Sequence, residues 1–389
     1  MPIARTAHVQ TVRGLLRSFP VVAIIGARQV GKTTLAHQVA AAGRFKRVHR
    51  FDLESPQDLA RLADPMVTLE SLRGLIVLDE IQRLPDLFPL LRVLADRPRT
   101  PARFLVLGSA SPELLRQSSE SLAGRIAYHE LGGLELCEVG SERIPRLWLR
   151  GGFPRSYLAN SHGESMVWRE QFIRTFLERD LPQLGIRTPA RTLRRFWTML
   201  AHYHGQQWNA SELARSLGTD YKTAQHYLDI LTSTFVVRTL RPWFANVKKR
   251  QTKAPKTYIS DSGLLHALLD LGDRHRLESH PKVGASWEGF IIEQLCRHLN
   301  TGPEQAFFWS THAGPELDLL VAQRGRLHGF EIKRTMSPKV TASMLKARDA
   351  LGLDTLAVIH AGEHSFMLGQ DVKAIAAKRM LEDIRAARR

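Results

Sequence analysis

Between the apolar run Val21-Val-Ala-Ile-Ile25 and the helix-forming stretch Thr34-Leu-Ala-His-Gln-Val-Ala-Ala-Ala42 lies Gly26-Ala-Arg-Gln-Val-Gly-Lys-Thr33. A buried strand therefore runs through a glycine-rich turn into a helix. Gly26 and Gly31 permit the backbone angles that bring consecutive N–H groups around one anion, and the helix N-terminus adds its partial positive charge. The spacing is that of a phosphate loop, in which Lys32 reaches the β- and γ-phosphates and Thr33 offers its hydroxyl to Mg2+. Ala27, Arg28, Gln29 and Val30 complete the cradle, and Thr34 stands in the first helical turn. Arg28 and Gln29 are expected as exposed loop residues within reach of nucleotide. ATP and Mg2+ are the expected ligands.

Downstream, short apolar runs at 48–53, 75–78, 104–107 and 126–131 alternate with amphipathic segments near 56–63, 86–95 and 112–117. That rhythm predicts an α/β fold, a parallel sheet with helices on both faces, whose phosphate-handling residues belong at the carboxyl ends of the strands. Leu75-Ile-Val-Leu-Asp79-Glu80 ends one strand in two acids. Asp79 is expected to order the Mg2+ shell and Glu80 to polarise the attacking water, a pairing that suits a hydrolase. The strand at 104–107 ends near Ser109, which suits a γ-phosphate sensor or a simple turn, Ser109-Ala-Ser-Pro112. Arg125, in Ser121-Leu-Ala-Gly-Arg125, is a candidate arginine finger for its own site or for a neighbour's in a homo-oligomer.

At 389 residues the chain exceeds one ordinary core, and about two to four domains are expected. No apolar stretch approaches bilayer-spanning length, and the N-terminus, with Arg5, Arg13 and Arg17, lacks a signal peptide's continuous apolar segment. The expected location is cytoplasmic, with no membrane partner. Cys137 and Cys296 have no metal-ligand spacing and read as small core residues rather than a disulfide framework. A net charge of +17 and a pI near 10.4 call for an acidic partner. Nucleic acid is the usual one, set against a generally arginine-rich solvated surface.

From Gly151-Gly-Phe-Pro154 the strand rhythm gives way to helical patterns, including 165–179 and 191–204. Asn209-Ala-Ser-Glu212 is a capping signal for a helix over 211–217 that stops at Gly218, and a second helix over 221–231 follows Thr219-Asp220. Two helices joined by a tight glycine-containing turn suit a helix-turn-helix, with Lys222, Thr223 and Gln225 facing a DNA groove. Residues 238–256 then carry Arg238, Arg241, Lys248, Lys249, Arg250, Lys253 and Lys256 without an acid, interleaved with Trp243 and Phe244. A strand, loop and strand of that kind would be a wing laid against phosphates. The alternative is a protein-binding module with a solvated charge run.

In the last third, a helix beginning at Ser286-Trp-Glu288 precedes strands expected at 306–310, 316–321 and 327–333. Residues two apart on a strand share a face, so Glu331 and Lys333 project together and Asp318 lies opposite them. A helix Glu, a strand Asp and a Glu-x-Lys pair form a constellation for metal-dependent phosphodiester hydrolysis. Asp318 and Glu331 would hold Mg2+ or Mn2+, Lys333 would orient or activate water, and Glu288 would act from the helix. A surface ion pair on an edge strand is the competing reading of Glu331 and Lys333. A helix over 340–350, a strand over 356–360 and a helix over 372–387 complete the expectation.

These motifs together resemble the prokaryotic family of AAA-type ATPases whose C-terminal half is a domain of unknown function. The likeness rests on the phosphate loop, Leu78-Asp-Glu-Ile-Gln82, Gly108-Ser-Ala-Ser111, Leu122-Ala-Gly-Arg125, Gly151-Gly-Phe-Pro154 and Lys256-Thr-Tyr-Ile-Ser-Asp-Ser-Gly-Leu264. Trp287-Glu288, Glu316-Leu-Asp318 and Glu331-Ile-Lys333 extend it over nearly the full length. Ala27 departs from the family's usual Pro, which stiffens the loop less without removing a phosphate donor. The resemblance implies an ATPase core, a winged helix and a terminal domain similar to restriction-endonuclease folds. The expected division is 1–135, 136–275 and 276–389. The expected function is a Mg2+-dependent ATPase that engages DNA and carries a nuclease-like domain. The alternative is a nucleotide-controlled binding module with a non-catalytic C-terminal fold.

Overall fold

A computed structural model describes residues 3–43, 45–97, 102–108, 120–243, 254–311, 314–369 and 371–384. Ser109, the expected 112–117 helix, and Lys248, Lys249, Arg250 and Lys253 lie outside the described residues. The chain forms two compact units: Met1–Gly133 with Ser233–Phe235, and Leu134–Thr232 with Val236–Arg389.

The first unit is built on β1 (Val21–Ile25), β2 (Val48–Asp52), β3 (Gly74–Asp79), β4 (Ala102–Gly108) and β5 (Ile126–Glu130). All pair in parallel, in the order β2-β3-β4-β1-β5. Every residue of β1 is buried, as a central parallel strand covered on both faces requires. Phe51, Ile76, Leu78, Phe88, Leu91 and Phe104 share one core cluster, which docks the helix Leu87–Ala95 on the sheet. The returning segment Ser233–Phe235 sets Phe235 against Ala23 and Ile25 of β1. Because β4 stands between β1 and β3, the carboxyl ends of β1 and β3 are about 10 Å apart, one strand's width for a side chain to bridge.

The second unit opens with helices, among them Ile144–Arg150, His162–Thr175 and Ala190–His202. The strands that follow are β6 (Gln206–Gln207), β7 (Val237–Pro242), β8 (Lys256–Ile259), β9 (Ala306–Ser310), β10 (Glu316–Gln323), β11 (Arg326–Lys333), β12 (Thr355–His360), β13 (Phe366–Met367) and β14 (Val372–Ala376). They form a mixed sheet in the order β13-β14-β12-β11-β10-β9-β7-β8-β6. Residues on both sides of position 275 therefore share one sheet, since β7 pairs with β9 through Arg241↔Phe307. The β10–β11 hairpin turns at Arg324-Gly325, both with positive φ (52° and 75°), which matches the right-handed twist of the flanking strands. Residues 372–376 are a strand rather than the start of the expected helix. The largely apolar Val-Lys-Ala-Ile-Ala run suits either state, and parallel pairing with buried β12 decides it.

Asn209 caps the helix Ala210–Leu217 by accepting from the Glu212 N–H at 3.2 Å, and Gly218 ends it at φ 71°. Cys296 is buried, whereas Cys137 is exposed, so only the former is a core residue.

A buried ionic network fastens the helix Val283–His298 into this unit. Glu293 accepts from Arg238 at 2.7 Å and from Arg297 at 2.5 Å, and Arg297 also reaches Glu135 at 3.4 Å. Burial alone would raise the Glu293 carboxyl, but the two guanidinium groups win and lower it from 4.5 to about 2. Its contribution is complete above pH 4.5 and fades as the pH falls towards 2. Glu293→Gln should therefore cost about 1–3 kcal/mol near neutral pH by taking the anionic partner from the half-buried Arg238 and Arg297, measured by denaturant unfolding. The acid-induced loss of stability between those two pH values should be shallower in the variant than in the wild type.

Candidate functional site

At the carboxyl end of β1 the chain turns through Gly26-Ala-Arg-Gln-Val-Gly31 into the helix Lys32–Ala42, with Gln29 and Gly31 at φ 63° and 98°. Gly26, Ala27 and Val30 are buried, while Gln29, Thr33 and Thr34 are exposed. Lys32 is buried and folds back over the loop, donating to the carbonyls of Gly26 and Ala27 at 3.0 Å each. Arg28 reaches Glu54, beyond the end of β2, at 2.9 Å. Behind the loop, Leu131 N–H donates to the Ile25 carbonyl at 2.8 Å.

The Thr33 hydroxyl donates to Asp79 Oδ2 at 2.7 Å, joining the first turn of the helix to the end of β3. Burial raises the Asp79 carboxyl, and the adjacent Glu80 charge adds to that, while the Thr33 hydrogen bond and Lys32 pull it down. The next residue, Glu80, has φ 54°. This left-handed conformation is costly for a Glu and is characteristic of functional turns. Its N–H donates to Asp79 Oδ1 at 3.0 Å, and the Gln82 amide hydrogen-bonds its carboxylate. Lys32, Thr33, Asp79 and Glu80 thus share one edge of the sheet.

Arg125 does not join them. It precedes β5, and Val21 at the start of β1 pairs with Ile126, so Arg125 lies at the amino edge of the sheet, opposite the loop. Its guanidinium bonds Asp96 at 2.7 Å and the Ala123 carbonyl at 2.9 Å. A finger role within its own site is therefore overturned by strand direction.

In the second unit, Asp318, Glu331 and Lys333 come together as the strand periodicity predicts, and Glu288 joins them from its helix. Asp318 Oδ2 accepts from the Ile332 N–H at 2.8 Å, and Lys333 pairs with Glu331 at 2.7 Å. Sequence reasoning missed three members of the cluster. Lys256 of β8 is buried, pairs with Glu288 at 3.5 Å and contacts Glu316. The Tyr258 hydroxyl donates to Glu288 at 2.6 Å. Burial and the charges of Glu288 and Glu331 push the Asp318 carboxyl well above its usual range, with Lys256 and Lys333 opposing. Burial also raises Glu331, against the pull of Lys333. Glu331 Oε2 is buried and lacks a hydrogen-bond partner among the described residues.

Among the described residues no three His, Cys, Asp or Glu side chains are gathered for a metal. The sequence spacing predicts a metal site at Asp318 and Glu331, and the structure sets the ammonium groups of Lys256 and Lys333 among these carboxylates. A cleft of about 560 Å3 opens beside Lys256 and Glu316, lined also by Tyr203, Gln207 and Trp208.

The expected DNA-facing residues are partly committed elsewhere. Gln225 accepts from Trp208 Nε1 at 2.7 Å and donates to Asp229 at 2.9 Å. Thr223 is held by Asp220 at 2.6 Å, and Lys222 is exposed. Lys256 belongs to the carboxylate cluster rather than to a wing. Arg238 and Arg241 pair with Glu293 and Glu304. No helix among the described residues is long and apolar enough to cross a membrane.

Three known families match in succession: an AAA domain over residues 18–140, a domain of unknown function (DUF8612) over 141–275 and another (DUF4143) over 283–380. Uncharacterized proteins of Mycobacterium tuberculosis and Mycobacterium bovis are each 54% identical over 381 residues, spanning 98% of this chain and 85% of theirs. The chain belongs to this family of AAA-domain proteins. Among solved structures, a Walker-type ATPase of Pyrococcus abyssi is similar at 16% identity and a TM-score of 0.48, covering 69% of this chain and 96% of that one. The RuvB Holliday junction branch migration motor of Thermotoga maritima is similar at 19% identity and a TM-score of 0.29, covering 61% and 89%.

In this AAA-domain protein the first-unit residues are contiguous or end a strand, and so were legible. Glu54, Lys256 and Tyr258 meet partners that are distant in sequence and are not on neighbouring strands. The only signal for the last two was their spacing, which puts both on one face of β8, as with Glu316 and Asp318 on β10.

Gly26 carries a very close backbone approach. A Cβ there would stand 2.1 Å from the Leu131 carbonyl oxygen. Gly26→Ala should cost about 1–3 kcal/mol, read by denaturant unfolding. Gly163→Ala, on a helix where the nearest atom is 3.8 Å away, should instead be neutral or slightly stabilising.

Proposed function

We propose that this AAA-domain protein hydrolyses ATP with Mg2+ at the carboxyl edge of the first sheet. The observation that carries this reading is the Thr33–Asp79 hydrogen bond at 2.7 Å, flanked by Lys32 and Glu80. A hydroxyl and a raised carboxylate held together suit a divalent cation, and Thr33 and Asp79 would hold Mg2+, which supplies charge neutralisation of the β- and γ-phosphates. Lys32 exchanges the Gly26 and Ala27 carbonyls for phosphate oxygens. Glu80 orients and deprotonates water. Ser109, just beyond β4 in sequence, is assigned to sense the γ-phosphate, and Arg125 is assigned to a neighbouring subunit's site.

Lys32→Ala should abolish MgATP affinity measured with a fluorescent nucleotide. Glu80→Gln should keep that affinity and lower turnover by at least about 100-fold, measured by phosphate release. Unchanged turnover in Glu80→Gln would remove it as the base.

DNA is the proposed partner of the second unit. Support comes from the +17 charge of the chain as a whole and from the succession helix Ala190–His202, β6, helices Ala210–Leu217 and Tyr221–Ser233, and the antiparallel β7–β8 pair. That order suits a winged helix, with the exposed Lys222 as a phosphate contact; the basic residues Lys248, Lys249, Arg250 and Lys253, proposed as further contacts on their sequence alone, lie outside the described residues. The carboxylate cluster is proposed as a phosphodiester site. The unpartnered Glu331 Oε2 beside Asp318 fits a divalent cation, Lys333 would orient water, and Glu288 would act from its helix. The pairing of Lys256 and Lys333 with the acids favours a second reading, a metal-free ionic core that only shapes the fold.

Metal titration separates the two. The raised Asp318 carboxyl must lose its proton to bind metal, so Mn2+ affinity should rise with pH and plasmid nicking should vanish in Asp318→Ala and Lys333→Ala. No Mn2+ binding at any pH would leave the ionic-core reading.

A further inference from the structure

A phosphate loop that turns its N–H groups towards an anion must turn carbonyls the other way, and buried carbonyls need donors. In this protein one of those donors comes from the N-terminal segment. Arg5 is 3% exposed, and its Nη1 donates to the Val30 carbonyl at 3.3 Å, inside the loop, and to the Gly132 carbonyl at 3.0 Å. Its Nη2 donates to the Gly133 carbonyl at 2.8 Å. Arg5 is itself anchored, because its N–H donates to Gln38 Oε1 at 2.9 Å and Gln38 Nε2 donates to the Ile3 carbonyl at 2.9 Å. Gln38 lies on the helix that the loop opens.

A second contact ties the same two segments independently. Gly26 lies so close to the Leu131 carbonyl that no side chain fits, and the Leu131 N–H bonds Ile25. Residues 131–133 therefore run along the back of the phosphate loop, and Gly133 is the last residue before the chain enters the second unit. The next residue is already committed there, since the Leu134 N–H donates to the Gly152 carbonyl at 2.6 Å.

We propose that Arg5 is a positioning residue of the nucleotide site that holds the loop carbonyl of Val30 and the exit segment Gly132-Gly133 as one piece, so that nucleotide binding moves that segment. This rests on the nucleotide-site reading above. When Lys32 leaves the Gly26 and Ala27 carbonyls for phosphate, the loop readjusts at Gly26 and Val30. Both positions are joined to residues 131–133, one by packing and one by the guanidinium. A single ammonium cannot span the three carbonyls as the planar guanidinium does.

The protein carries its own reporter, because all seven tryptophans lie between residues 148 and 309 and none in residues 1–133. Full-length wild type, Arg5→Lys and Arg5→Met are titrated with a fluorescent ATP analogue for affinity and with MgATP for tryptophan emission, with circular dichroism as the folding control. Wild type should bind and change its emission. Arg5→Lys should keep affinity within about threefold, yet lose at least half of the emission change at saturation, a separation that loss of stability alone does not produce. Arg5→Met should lose about tenfold in affinity and the whole emission change. If Arg5→Met does not fold, Arg5→Lys alone decides. A full emission change in Arg5→Lys, or binding without emission change in the wild type, overturns the proposal. Failure of the wild type to bind at all overturns the nucleotide-site reading itself, and the role of Arg5 with it.

Discussion

The constraint on which the first unit depends is that the carbonyls of the glycine-rich loop find donors inside the protein. A buried carbonyl without a donor costs as much as a lost hydrogen bond. Lys32 covers Gly26 and Ala27, and Arg5 covers Val30. Gly26 has no side chain because a carbonyl of the neighbouring segment already occupies that space. The parallel sheet serves the same end. With β4 between β1 and β3, Asp79 lies one strand's width from the loop, where a threonine hydroxyl spans the gap.

The second unit meets a different problem, that of burying charge. Glu293 is stabilised by two guanidinium groups, and the group around Glu288 and Asp318 by two ammonium groups and a phenol. These solutions differ in completeness. Both Glu293 oxygens accept from arginine, and its carboxyl is driven down to about 2. In the other cluster burial prevails, the Asp318 carboxyl is driven up, and one Glu331 oxygen lacks a partner among the described residues. A saturated network holds a helix in place. The other leaves one buried acceptor without a partner among the described residues, and the two proposed roles of that cluster differ in what they make of it.

How much of the site was legible depended on the range of the interaction. Lys32 and Thr33 are neighbours in sequence, and Asp79 and Glu80 end a strand whose direction follows from the βα rhythm. Asp318, Glu331 and Lys333 followed from the two-residue period of adjacent antiparallel strands. Arg125 was misplaced although its sequence position already implied the answer: a residue just before a strand of a parallel sheet lies at the amino edge, away from the loop. Lys256 read as part of a basic run because the acids that claim it are 32 and 60 residues further on. Gln225 likewise read as a groove-facing donor until its helix brought it to Trp208.

By itself the sequence determined the phosphate loop, the parallel α/β core behind it, the helix caps at Asn209 and Gly218, and the pleated pairing that unites Asp318 with Glu331. Each is set by backbone stereochemistry or by a period of a few residues, and such signals survive without knowledge of distant chain. Only the tertiary structure decided that Arg5 fastens the loop to Gly132 and Gly133, that Lys256 joins the acids, and that 372–376 is a strand. Those outcomes depend on donors and acceptors brought together from far apart, because burial obliges each polar group to find a partner wherever the fold supplies one.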